Sequence, residues 1–176
     1  MTHFLAATTV LRILLTPVIM GLVLAGDETV AAVLFAAAAF TDFCDGYLAR
    51  RFDATTTLGS FLDTTADKLL TSGVLIALVA AERGSPWIVS IIVGRELMIL
   101  GLRGLVATSG YVVAPSPLGK SKTVVQFVAI LLAIVRPGEQ IAGAYLDEWA
   151  MVIAAVVTAW SGADYLMRFR ASLRAA

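Results

Sequence analysis

Thr41-Asp42-Phe43-Cys44-Asp45-Gly46-Tyr47-Leu48-Ala49-Arg50 and Gly59-Ser60-Phe61-Leu62-Asp63-Thr64-Thr65-Ala66-Asp67 place four carboxylates where one apolar run ends and the next begins. Asp42 and Asp45 are three residues apart and Asp63 and Asp67 four apart, spacings that put each pair on one face of a helix. The short connection between the runs predicts antiparallel neighbours with opposed acidic faces. Arg50 and Lys68 are the cations nearest in sequence, so four carboxylates against these two leave two negative charges in excess. A cluster of this kind, in a poorly hydrated place, requires protonation, further basic side chains or bound cations.

The rest of the chain says how poorly hydrated that place is. Of 176 residues, 59% are apolar and 15% charged, and the mean hydropathy is +0.88. A soluble domain carries about 25% charged residues, so this chain has too few polar side chains to cover an aqueous surface. Thirteen basic and thirteen acidic residues cancel, so no overall field recruits nucleic acid and any electrostatic function is local.

Turn and charge signals at Gly26-Asp27-Glu28, 51–57, Glu82 to Pro86, 108–122, Arg136 to Gln140 and Asp147-Glu148 separate apolar stretches near 5–25, 29–51, 59–81, 87–107, 120–136 and 149–168. They predict an all-α integral membrane protein of six transmembrane helices. At about 20 residues per span these use about 120 positions, which leaves one membrane domain, 1–176, and no separate aqueous one. Arg50, Arg51, Lys120, Lys122, Arg168, Arg170 and Arg174 fall on one side against Arg83 and Arg136 on the other. That asymmetry puts both termini in the cytoplasm. The first segment lacks a basic leading region and carries Arg12 inside it, so it reads as a retained span.

The longest stretches free of charge, 104–119, 149–163 and 13–26, have 16, 15 and 14 residues. None reaches the roughly 18 of a plain lipid-facing span. Ionisable groups therefore lie within the crossing length, about 20 Å from the outer ends for Asp42 and Lys68. A charge facing lipid costs at least about 2.5–3.5 kcal/mol, so these groups are expected to converge on a shared hydrated cavity in the cytoplasmic half of the bilayer. An all-oxygen set suits hard divalent cations such as Mg²⁺ or Mn²⁺, with substrate phosphates and waters completing the shell. His3 is the one histidine, and no set with zinc spacing exists. Gly46 and Gly59 leave room for a bulky ligand, or equally for close helix packing. Cys44 reads as a small buried filler.

Asp42-x2-Asp45-Gly46-x2-Ala49-Arg50-x8-Gly59-x3-Asp63-x3-Asp67 resembles the complete signature of the CDP-alcohol phosphotransferases, membrane enzymes that build phospholipids. The resemblance implies a six-helix fold, a homodimer, and an active site open to the cytoplasm and the inner leaflet of the cell membrane. By the same resemblance Asp42, Asp45 and Asp63 bind metal with the nucleotide pyrophosphate. Asp67 helps to hold a second metal and is the catalytic base, while Gly46, Ala49, Arg50 and Gly59 line the CDP-diacylglycerol site. Two divalent cations about 3.5–4 Å apart would neutralise the pyrophosphate and orient an attacking hydroxyl.

The remaining interior cations are Arg95, Arg103, Lys120 and Lys122. Glu96 and Arg103 are seven apart on one helical stripe, and the lysines open the fifth helix, where an anion is favoured. The set suits a phosphate. Alternatively Arg95 and Arg103 pair with Glu96 and Asp164, and the lysines anchor the cytoplasmic side. These segments, with Thr9-x2-Arg12-x4-Pro17, resemble the phosphatidylglycerophosphate synthase branch over roughly 5–130. The branch implies sn-glycerol 3-phosphate as acceptor, with Arg95, Arg103, Lys120 and Lys122 on its phosphate. His3 replaces the usual Asn of that branch, and Cys44 a usually bulky apolar residue. Other acceptors within the family are inositol phosphate and phosphatidylglycerol. A cation transporter is the reading from another class, against which stand the one-sided charges and the lack of an inverted repeat. Arg168, Arg170 and Arg174 read as anchors on anionic headgroups of membrane lipids.

Overall fold

A computed structural model describes the backbone of residues 2–51, 57–108, 117–138 and 140–174, and side chains within 7–45, 59, 61–105, 119, 121–138 and 140–170. Six helices account for almost all of it: α1 (Thr2–Ala25), α2 (Glu28–Arg51), α3 (Thr57–Ala80), α4 (Pro86–Thr108), α5 (Pro117–Val135) and α6 (Leu146–Arg174). A ribbon of β1 (Gln140–Ile141) and β2 (Ala144–Tyr145) precedes α6, pairing Gln140 with Tyr145 and Ile141 with Ala144. The turns at 52–56 and 109–116 lie outside the described residues.

Helix ends follow local chemistry. Gly26, at φ 80°, closes α1. Its N–H donates to the Val23 carbonyl at 3.3 Å, and the Asp27 N–H donates to the Leu22 carbonyl at 3.0 Å. This is the paired bond pattern of a left-handed helix terminus. α3 ends the same way, with the Glu82 N–H on Val79 at 3.1 Å and the Arg83 N–H on Leu78 at 2.8 Å. Here a glutamate, at φ 56°, stands where glycine is preferred. Pro86 and Pro117 open α4 and α5, a position where the missing N–H costs nothing.

α6 differs from its expected bounds, starting at Leu146 instead of 149 and running to Arg174 instead of 168. Asp147 and Glu148, read as a separator, instead occupy the first turn, where carboxylates are favoured by the helix dipole. Glu148 Oε2 accepts the Tyr145 N–H at 3.3 Å, and Trp149 Nε1 donates to the Ile141 carbonyl at 3.0 Å, tying the ribbon to the helix.

Contacts divide the chain into two compact units: residues 1–83 with 133–136, and residues 84–132 with 137–176. In the first unit α1 packs on both α3 and α2. Its core is built from Ile19, Val23, Ala31, Phe35, Leu70, Val74, Leu75 and Leu78. A Cβ on Gly73 would stand 2.9 Å from Met20 Sδ and Thr16 Cγ2, so glycine sets the α1–α3 spacing. Arg83 pairs with Glu28 and donates to the Ile134 carbonyl at 2.8 Å at the opposite end from the aspartates. In the second unit α4 packs on α6 around Ile92, Ile99, Met151 and Ala154.

Two helices among the described residues, over Ala7–Ala25 and Leu146–Arg170, are long and apolar enough to cross a bilayer. α2, α3 and α4 carry Asp42 and Asp45, Asp63, Asp67 and Lys68, and Arg95, Glu96 and Arg103 within their length. Ionisable groups thus do occupy the helical lengths, as the charge-free counts require.

Candidate active site

The four aspartates do not simply oppose one another. Among the described residues α2 and α3 each pack on α1 more than on each other, and α1 delivers Arg12 between them. Its side chain is 1% exposed. Nη1 lies 2.6 Å from Asp42 Oδ1 and donates to Asp63 Oδ1 at 3.1 Å, while Nη2 donates to Asp45 Oδ2 at 3.4 Å. Of the three ways to tolerate such a cluster, the fold uses a further basic side chain. The sequence puts Arg12 thirty residues away from Asp42, so no local spacing announces it. The signal available was a lone arginine inside an apolar helix, which must find a carboxylate partner or face lipid.

Asp67, one turn beyond Asp63, pairs with its neighbour Lys68. Its carbonyl accepts the Thr71 hydroxyl at 2.8 Å. Gly59 is exposed at the start of α3. Gly46, Ala49 and Arg50 belong to α2, but their surroundings lie outside the described residues, as do the side chains of His3 and Lys120. Cys44 is a free, half-buried thiol.

Among the described residues no three acidic, histidine or cysteine side chains form a ready ligand cage, because the Arg12 guanidinium stands in the middle. The donor set nevertheless fits a hard divalent cation in kind. Asp42, Asp45 and Asp63 offer only carboxylate oxygens, and one oxygen from each already gathers on a single cationic group.

The second unit holds a separate polar cluster. Glu96 of α4 is 3% exposed and accepts from Lys122 of α5, itself buried. It also accepts from Arg95 Nη1 at 3.3 Å and from Gln126 Nε2 at 3.4 Å. α6 closes the cluster: Ser161 Oγ accepts from Arg95 Nη2 at 2.9 Å, and Thr158 Oγ1 accepts from Gln126 Nε2 at 2.7 Å. Arg103 lies over the Tyr165 ring, 5.7 Å from its centroid. The structure therefore joins Arg95, Lys122 and Glu96 directly and sets Arg103 on the neighbouring Tyr165.

The alternative pairing scheme holds for Arg95 with Glu96, whereas Asp164 pairs with Arg168 at 3.1 Å. Lys122 is buried among polar partners and is no surface anchor. Gln126, Thr158, Ser161 and Tyr165 were missed in the sequence. The last three are spaced by three and four residues along one face of an otherwise apolar helix, and that spacing was the available signal.

Comparison with known proteins places these residues in context. The pattern of the family described as CDP-alcohol phosphatidyltransferase matches residues 5–160. The CDP-diacylglycerol--glycerol-3-phosphate 3-phosphatidyltransferase of Bacillus subtilis (strain 168) is 38% identical over 171 residues, covering 86% of this chain and 89% of that protein. Proteins of the same name from Sodalis glossinidius (strain morsitans) and Salmonella choleraesuis (strain SC-B67) are 40% and 37% identical over 147 and 173 residues. They cover 81% and 94% of this chain and 79% and 93% of their own lengths.

Proposed function

Because the chain belongs to the CDP-alcohol phosphatidyltransferase family, we propose that it transfers the phosphatidyl group of CDP-diacylglycerol to sn-glycerol 3-phosphate, giving phosphatidylglycerophosphate and CMP. The observation that carries this reading is the gathering of Asp42, Asp45 and Asp63 from two helices onto one buried cationic group. Relatives named for this reaction cover most of the chain, which supports the choice of acceptor.

In the reaction a hydroxyl oxygen of glycerol 3-phosphate bonds to the lipid-linked phosphorus. The bond from that phosphorus to the CMP oxygen breaks, and the hydroxyl proton passes to a carboxylate oxygen of Asp67. Asp42, Asp45, Asp63 and Asp67 would hold Mg²⁺ or Mn²⁺, which when bound supplies positive charge opposite the pyrophosphate. Arg12, within reach of three of these carboxylates, limits their mutual repulsion and fixes their orientation. Gly46, Ala49, Arg50 and Gly59 would line the nucleotide site. Arg95, Arg103, Lys120 and Lys122 would bind the acceptor phosphate, bidentate arginine donors being well matched to its oxygens. Positioning and charge complementarity supply most of the acceleration in such a transfer.

The chain is read as one membrane domain, 1–176, with six spans, cytoplasmic termini and a cytoplasmic active site in the cell membrane, working as a homodimer. Exposed Leu14, Phe40, Phe43, Trp87, Trp160 and Met167 support lipid contact, because so many bare apolar side chains are untenable in water. The test is an acceptor panel. Purified protein in detergent receives CDP-diacylglycerol, Mg²⁺ and one of glycerol 3-phosphate, inositol phosphate or phosphatidylglycerol, and lipid products are identified by mass. Phosphatidylglycerophosphate is expected from the first alone. Release of CMP only with another acceptor overturns the reading.

A further inference from the structure

Arg95 is held from three directions. Glu96 Oε1 accepts from Nη1 at 3.3 Å and Ser161 Oγ accepts from Nη2 at 2.9 Å, so one bond to each terminal nitrogen fixes the plane of the guanidinium. The stem is held as well. A Cβ built on Gly162 would lie 3.0 Å from Arg95 Cγ and 3.7 Å from its Nε, so the arginine runs flush against the α6 backbone. The Nε donor itself is buried and has no hydrogen-bond partner among the described residues.

We infer that Ser161 and Gly162 of α6 are positioning residues that hold the Arg95 guanidinium in the orientation in which it meets the phosphate of the acceptor, so that α6 sets acceptor affinity. The inference rests on the reading of Arg95 as an acceptor-phosphate ligand. Ser161 supplies an oxygen that a free arginine would otherwise seek from water or lipid headgroups. Gly162 supplies the absence of a side chain. Gln126 extends the arrangement by linking Glu96 to Thr158, one helical turn from Ser161, so the carboxylate that orients Arg95 is itself tied to α6. α6 thus touches this arginine through a hydroxyl and through backbone, two contacts that apolar packing alone does not require.

The experiment measures initial rates in detergent with glycerol 3-phosphate and CDP-diacylglycerol varied separately, for wild type, Arg95→Ala, Ser161→Ala, Ser161→Cys, Ser161→Thr and Gly162→Ala. Ser161→Ala is expected to raise the KM for glycerol 3-phosphate about tenfold, the effect of one lost charge-assisted hydrogen bond, and Gly162→Ala, whose methyl would meet Arg95 Cγ at 3.0 Å and displace the stem, should raise it in the same direction. The kcat and the KM for CDP-diacylglycerol should stay within about twofold. Ser161→Thr, which keeps the hydroxyl, restores the acceptor KM. Ser161→Cys, nearly the same size with a weak acceptor, behaves like the alanine variant without opening a cavity.

If Arg95→Ala raises the acceptor KM while the Ser161 and Gly162 variants match wild type, the positioning role is overturned and the acceptor reading stands. If Arg95→Ala leaves that KM unchanged, the acceptor reading of Arg95 fails and the inference with it. Equal changes in both KM values, with a fall in kcat, would reveal a merely structural helix contact and also overturn the inference.

Discussion

Replacing Arg12 with methionine, which keeps most of the side-chain volume, should destabilise the protein more than any other single substitution at its acidic cluster. Arg12 is 1% exposed and meets three carboxylates at 2.6, 3.1 and 3.4 Å. Removing one partner from a buried ion pair costs about 3–5 kcal/mol, because the remaining charge is left uncompensated. The three partners are not equally buried: the Asp45 side chain is 9% exposed, Asp42 25% and Asp63 38%. Water rescues the last two in part, so Asp45 carries most of the penalty and the lower end, about 3 kcal/mol, is expected. For a chain of this length that corresponds to a fall in Tm of about 6–12 °C.

The assay is thermal unfolding in detergent with EDTA, repeated with excess Mg²⁺. The cation should recover part of the loss by offsetting the same carboxylates. Asp45→Asn should destabilise the wild type yet rescue Arg12→Met, since the penalty belongs to the unpaired charge and the two changes are coupled. An Arg12→Met protein that melts within about 2 °C of wild type in EDTA refutes the reasoning. So does an Asp45→Asn change whose effect is the same in both backgrounds.

Asp67→Asn should lower kcat by at least about a hundredfold, the usual contribution of a positioned base, while CDP-diacylglycerol binding by equilibrium dialysis is unchanged. Wild-type turnover would remove Asp67 as proton acceptor. Gly73→Ala drives a methyl to 2.9 Å from Met20 Sδ and Thr16 Cγ2 and should destabilise by about 1–3 kcal/mol in denaturant unfolding. Glu82→Gly relieves a left-handed backbone, φ 56°, and should raise stability by up to about 1 kcal/mol. No gain in melting temperature would locate the strain elsewhere.

What the sequence made legible was whatever depends on spacing within one helix. The six helices follow from the turn and charge signals between apolar runs, and the gathering of Asp42 with Asp45 on one face of α2 follows from residues three apart. What it hid depends on which helix stands beside which. The short connection predicts that α2 and α3 pack on each other, but among the described residues α1 packs on both and brings Arg12 between their like charges. The contribution of α6 was hidden for another reason. Serine, threonine and glycine are ordinary in membrane helices, and only the distances to Arg95 and Gln126 distinguish Ser161, Gly162 and Thr158 from packing residues.

The zero net charge, which leaves any electrostatic function local, conceals two opposed local excesses. At the acidic cluster, among the described residues, Arg12 and Lys68 face Asp42, Asp45, Asp63 and Asp67, two cations against four carboxylates. In the second unit Arg95, Arg103 and Lys122 stand with Glu96, three cations against one carboxylate. Among the described residues the first set thus carries an excess of two negative charges and the second an excess of two positive ones. A divalent cation satisfies the former. A phosphate monoester, carrying about −1.5 to −2 near neutral pH, satisfies the latter. In a medium where an uncompensated charge is expensive, each cluster is stabilised by a ligand of opposite sign and discriminates against one of its own. On the proposed reading, two substrates that are both anionic would be told apart by charge: the nucleotide lipid through cations that the aspartates would hold, and the small phosphate through arginine and lysine. Glu96 fits this logic as well. Its single carboxylate, set among three cations, leaves the excess that one phosphate monoester would offset on the proposed reading.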